Sequence, residues 1–151
     1  METTNAASSE ATVQRVTLRF PALLNYRPLA IDLVSALAEQ VRGGSRDFRN
    51  ELVTAFGEAF NNIVLHGYRG RTDGEIEIEA EIAPQAVTLR LLDTGREVDF
   101  GNVEAPDLAA MPEGGMGVFM IHALVDNVHY RGGSPNVLSL TKRTVSREGT
   151  R

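Results

Sequence analysis

Residues 51–68 read ELVTAFGEAFNNIVLHGY, and this stretch decides how the rest of the chain must pack. With Phe48 just before it, Leu52, Ala55, Phe56, Ala59 and Ile63 recur at the helical period. That spacing predicts an amphipathic helix over about residues 46–66. Glu58 and Asn62 are four apart and so share one helical face, turned away from the Leu52, Ala59 and Ile63 stripe. They are expected to flank the core rather than enter it. A carboxylate that can take a proton, beside an amide oxygen that can ligate Mg²⁺, is a chemically capable pair. Spacing alone leaves open a solvated Glu and Asn on a helix edge. Asn61 points about 100° away and is not expected to bind metal.

Working outward toward the N-terminus, Val16, Leu18 and Phe20 alternate with Thr17 and Arg19 as a strand that Pro21 ends. Asn25 is a candidate helix cap, with Pro28 in the first turn. Leu29, Ala30, Leu33, Val34, Leu37, Ala38 and Val41 carry a helical stripe that Gly43-Gly44 should stop. In the other direction, residues 67–74 read as a loop. Residues 75–82 alternate strictly, giving a strand with an acidic outer face and an apolar inner one. After a turn at Pro84-Gln85, Val87, Leu89 and Leu91 form a strand ending at Asp93. A helix over 118–125 and strands over 128–130 and 137–142 complete the order.

Strand, helix, helix, two strands, helix, two strands predicts an α+β fold. It is a two-layer α/β sandwich with helices covering one face of a mixed, mostly antiparallel sheet. Residues 1–12 are expected to be a flexible N-terminus, 13–143 one domain, and 144–151 a basic tail. The run Lys142, Arg143, Arg147 and Arg151 reads as solvated.

Composition narrows the function. A length of 151 residues suits one domain, and 42% apolar residues can build its core. The absence of Cys excludes a disulfide framework, a thiolate metal site and a Cys nucleophile. A net charge of −5 argues against nucleic acid as the main partner. No apolar run approaches the ~20 residues that span a bilayer, and the polar start lacks a signal-peptide core, so a cytoplasmic location is expected. Lys142 is the sole lysine, which disfavours a lysine phosphate loop. Neither Gly-x-Ser-x-Gly nor the eukaryotic kinase motif set is present. His66, His122 and His129 lack metal-ligand spacing and read as structural or solvated.

Two further stretches carry candidate chemistry. Asp93-Thr94-Gly95 puts a carboxylate at a strand end, able to accept from a ligand amine, with a glycine that lets a ring approach. Gly114-Gly115-Met116-Gly117 leads into a helix, where free backbone N–H groups can meet an anion. Residues 93–126 hold Asp93, Glu97, Asp99, Glu104, Asp107, Glu113 and Asp126 against Arg96 alone. A polyphosphate there would need backbone amides and a divalent cation, so strict Mg²⁺ dependence is expected.

In order, these three elements resemble the N box and two glycine boxes of the GHKL ATP-binding superfamily, over roughly residues 13–143. Glu58-Ala-Phe-Asn-Asn62 with His66-Gly67-Tyr68 is similar to the branch of bacterial anti-sigma factors that are also serine-protein kinases. The resemblance implies a Bergerat-type fold, ATP and Mg²⁺ as cofactors, and roles at matching positions. Glu58 would be the general base, Asn62 the Mg²⁺ ligand, and Asp93 the adenine acceptor with Gly95 making room. Gly115 and Gly117 would give phosphate contacts, and residues around 100–114 a lid. Gyrase-like members carry a further glycine where Arg96-Glu97 stand, and Arg96 is read as facing solvent rather than phosphate. The implied protein is a homodimeric serine/threonine kinase, with residues 13–20 and the first helix as interface candidates. It would bind a sigma factor and phosphorylate an anti-sigma-factor antagonist, without direct nucleic-acid or membrane contact. A non-catalytic sequestering module, an ATPase, and a kinase with another regulatory target stay open.

Overall fold

The computed structural model describes residues 12–101 and 115–144. Residues 1–11 and 145–151 of the expected tails and 102–114 of the expected lid around 100–114 lie outside them; Phe100, at the start of that stretch, is buried in the core, and Thr144 N donates to Gln85 O. The elements are β1 (Gln14–Pro21), α1 (Arg27–Ala38), α2 (Arg46–Asn62), β2 (Glu75–Ala83), β3 (Ala86–Asp93), α3 (Gly115–Leu124), β4 (Asn127–Arg131) and β5 (Asn136–Arg143). The strands form one sheet in the order β1-β2-β3-β5-β4. The sheet expected to be mixed and mostly antiparallel is antiparallel in every described pairing.

Strand alternation sets which sheet face is covered. Ile76, Ile78, Ala80 and Ile82 of β2 are buried beside Val87, Leu89 and Leu91 of β3 and Leu138 and Leu140 of β5. The charged outer face is laced by Arg19–Glu77 and by Arg90–Glu81 at 2.8 Å. Hydrogen bonding to the Arg90 guanidinium holds the Glu81 carboxyl below its ordinary range. Exposed pairs like these add little stability each.

Helix α2 is the middle helix and packs against both α1 and α3. Ser45 caps it, its hydroxyl accepting from Phe48 N at 3.0 Å. The predicted stripe is buried, and so are Gly57, Phe60 and Asn62. A helix with neighbours on both flanks buries more than one stripe, so Asn62 lies in the interior instead of flanking the core. Beyond Asn62 the predicted α-helix changes to a π-helical turn, Ile63–Gly67.

Two cap predictions need correction. Asn25 does not cap α1; it sits in a short 3₁₀ turn, Leu24–Tyr26, and Tyr26 is the N-cap without a side-chain bond. Helix α1 also ends at Ala38, before Gly43-Gly44. Bonds from Gln40 N to Leu37 O and Val41 N to Ala38 O tighten its exit, which still tucks Val41 into the core.

Lys142 is likewise no tail residue. It belongs to β5, and its side chain is 12% exposed. Its Nζ lies 2.8 Å from Glu51 Oε1 and donates to Leu124 O at 2.6 Å, at the end of α3. The lone lysine thus ties the sheet to α2 and caps α3. Lys142→Ala should cost about 1.5–3 kcal/mol in urea unfolding, the scale for a hydrogen bond to a charged group. Lys142→Met keeps the apolar stem and should recover only part of the loss.

Candidate active site

Glu58 and Asn62 lie on the α2 flank that meets α3. Gly117, in the first turn of α3, closes the space between them. A Cβ at position 117 would stand 2.6 Å from Glu58 Oε1 and 3.7 Å from Asn62 Nδ2. The first and third sequence elements therefore converge, and glycine at 117 leaves room for the Glu58 carboxylate. Asn62 is 8% exposed, and its Nδ2 has no hydrogen-bond partner among the described residues. An unpaired buried amide is costly, which points to a polar ligand. Rotating the amide by 180° presents Oδ1 to the same space. That donor suits Mg²⁺, which takes few protein oxygens and completes its shell from phosphates and water.

Asp93 ends β3 on the covered face and is 4% exposed. Its Oδ1 accepts from Gly95 N at 2.8 Å and from Asn136 Nδ2 at 3.0 Å. Burial pushes its carboxyl above the ordinary value, and these two donors pull against that shift. Asn136 also donates to Gly95 O at 2.9 Å and accepts from Gly133 N at 2.9 Å. It faces Asp93 directly in the β3–β5 register.

The π-helical turn brings the N-box end against this corner. Tyr68 N bonds Ile63 O, five residues back, and Arg96 N donates to Gly67 O at 2.8 Å. A Cβ at Gly95 would meet Gly67 C and O at 2.7 Å. The room that Gly95 provides on that side is filled by protein backbone, so the glycine first allows two chain segments to touch. Tyr68 is buried; its hydroxyl donates to Glu75 O and accepts from Thr94 N at 2.9 Å. On the other side of the segment, Tyr130 Oη accepts from Val98 N, and His122 Nε2 donates to Phe100 O at 2.8 Å. His122 is thus structural, as its spacing suggested. A cavity of about 350 Å³ opens where Asn62, Val98, Asp99 and Val118 meet.

These positions can be set beside known proteins. The profile of the histidine kinase-like ATPase domain matches residues 20–142. The chain belongs to that family. A serine-protein kinase RsbW of Listeria innocua is 33% identical over 122 residues, covering 76% of this chain and 77% of that protein. An anti-sigma F factor of Clostridium beijerinckii is 36% identical over 83 residues, covering 51% and 57% respectively. A solved structure of the RsbU and RsbW domains of a Mycobacterium tuberculosis protein has a TM-score of 0.63 at 20% identity. That match spans 86% of this chain and 32% of the other, and bears on the fold alone.

In this histidine kinase-like ATPase domain, Glu58, Asn62 and Gly117 stand together, and Gly115 opens α3. Asp93 and Gly95 occupy the adjoining corner at the end of β3. Asn136 and Tyr130 support that corner without having been singled out from sequence, and Tyr68, quoted there only as part of the motif, supports it as well. Asn136 lies 43 residues from Asp93, and strand register alone brings them together. Gly114 lies outside the described residues. Among the described residues no helix is long and apolar enough to cross a membrane.

Proposed function

We propose that this chain is an ATP-dependent serine/threonine-protein kinase that acts in the cytoplasm as an anti-sigma factor. Its partners are a sigma factor and an anti-sigma-factor antagonist, and the antagonist is the phosphate acceptor. The convergence of Glu58 and Asn62 on Gly117, in a chain similar to a serine-protein kinase RsbW, carries this reading.

Glu58 takes the proton from the acceptor hydroxyl as that oxygen bonds to the γ-phosphorus. The bond from phosphorus to the β–γ bridging oxygen breaks, and ADP leaves. Asn62 would hold Mg²⁺, which would supply neutralisation of phosphate charge. Asp93 accepts from the adenine amine, with Gly95 beside it. The backbone at Gly115 and Gly117 gives N–H groups to the phosphates at the start of α3. Such a site needs alignment and charge neutralisation more than covalent chemistry. A homodimer through the β1 edge and α1 fits the exposed Val13, just before β1, and Leu29, on α1.

Incubation with γ-labelled ATP and candidate antagonist proteins tests the proposal. Label on a partner serine or threonine is the expected result. Free phosphate alone would make the protein an ATPase, and neither product would leave a sequestering module.

A further inference from the structure

On the covered face of β5 the side chains of Leu138 and Leu140 are buried, and Lys142 continues their row opposite Val87 of β3. A cation in an apolar row needs polar partners. Two helices supply them: Nζ lies 2.8 Å from Glu51 Oε1 on α2 and donates to Leu124 O, at the end of α3. The proposed chemistry uses neither contact, yet both stand at one spacing from it. Glu51 precedes Glu58 by seven residues, and Leu124 follows Gly117 by seven. That spacing is nearly two helical turns, within about 20°. Glu51 therefore lies on the Glu58 side of α2 and Leu124 on the Gly117 side of α3, each about 10 Å along its helix from the site.

The two helices thus run antiparallel, with position 117 against the Glu58 carboxylate at one end and Lys142 joining them at the other. Among the described residues no hydrogen bond or ion pair runs directly from α2 to α3, and Asn62 Nδ2 is unpartnered at the site end. Lys142 is the side chain that bonds to both. Asp126 N donates to Thr141 O and Arg143 N to Asp126 Oδ2, which ties the exit of α3 to β5, but neither bond reaches α2. Helix carbonyls point along the axis, so the bond to Leu124 O fixes α3 lengthwise. That direction sets how far the N–H groups of Gly115 and Gly117 stand from Glu58.

We propose that Lys142 is a positioning residue for phosphoryl transfer: by bonding Glu51 and Leu124 O it sets the register of α3 along α2. The inference rests on the kinase reading and adds to it a residue two turns away from the reacting atoms. The clasp holds Glu58 at working distance from a phosphate bound at the start of α3. A misplacement of about 1 Å in such a site costs about 10²-fold in rate. Asp93 takes its bonds from Gly95 and Asn136, so base recognition does not depend on the clasp.

Phosphoryl transfer and calorimetric binding of ATP and adenosine, measured on the full chain, test this. The variants are Lys142→Met, which keeps the buried stem, Glu51→Ala, at a half-exposed position, and the two combined. All are assayed at a temperature where circular dichroism shows them folded. The kcat for transfer should fall about tenfold or more in each single variant. Adenosine affinity should stay within about twofold, because its contacts lie apart from the clasp. Glu51→Gln keeps an acceptor for Nζ and should recover most of the rate. The double variant should fall no further than the worse single one, since both changes break one contact. A kcat near wild type in both folded single variants overturns the positioning role. Losses that multiply in the double variant overturn the shared clasp. Adenosine affinity lost in step with kcat overturns it too, as the mark of a loosened fold. Wild type that binds ATP but labels no acceptor removes the kinase reading alone. The register is then read from the ratio of ATP to adenosine affinity, which should drop about threefold or more in Lys142→Met as the phosphate N–H groups lose alignment. An unchanged ratio overturns the clasp as a positioning device.

Discussion

Glu58→Ala is expected to leave nucleotide affinity near wild type while lowering phosphoryl transfer by about 10²–10⁴-fold, the range a positioned general base supplies. The expectation follows from where the carboxylate stands. It is half-buried on α2, a rigid helix, one turn before the unpartnered Asn62 amide and beside Gly117. Asp93 takes its hydrogen bonds from Gly95 and Asn136 and not from Glu58, so removing Glu58 should not disturb base recognition. Glu58→Gln sharpens the test, because it keeps the shape and hydrogen bonding but cannot take a proton. Transfer should fall nearly as far in that variant. Undiminished transfer in either variant would sink the assignment of Glu58 as base. A raised KM with unchanged kcat would instead make it a residue that positions substrate.

The same helix shows what the sequence could disclose. The 3.6-residue period over 46–66 gave α2, and the strict alternation over 75–82 gave β2 with its buried isoleucines. Both patterns are local, and local patterns survive folding. The burial of Asn62 was not legible, because it depends on α3 packing on a flank that the α2 sequence does not mention. The role of Lys142 was hidden for the same reason: its partners Glu51 and Leu124 come from two other elements. The acidic run over 93–126 is only partly placed, because Glu104, Asp107 and Glu113 lie outside the described residues. Of its described acids, Asp93 accepts from Asn136 and Asp126 accepts from Arg143 N, two partners that the run itself does not contain. Field strength at a site follows distance in space, which a sequence window does not measure.

Asp93→Asn should lower ATP affinity while leaving the fold at least as stable as wild type. Burial raises the Asp93 carboxyl above its ordinary value of 3.8, only partly opposed by the Asn136 and Gly95 donors. An acid with a raised folded value holds its proton longer in the native state than in the unfolded chain. Wild-type stability should therefore fall as pH climbs from the unfolded value through the raised native one. The ionised group is a net cost above that interval. The asparagine variant lacks this titration, so its melting temperature should vary less over the same pH range. Its Oδ1 can accept the Gly95 and Asn136 N–H groups, which places the new amide nitrogen where the second carboxylate oxygen stood. There a donor would face the adenine amine, also a donor. Leaving such a group unpaired costs about 1–3 kcal/mol, roughly a 5–150-fold loss in affinity. Guanine presents a carbonyl oxygen at the matching position of its ring, so GTP should gain on ATP in the variant. Competition between the two nucleotides, measured in wild type and Asp93→Asn, reads that ratio directly. Equal changes for both would show that Asp93 shapes the corner without reading the base.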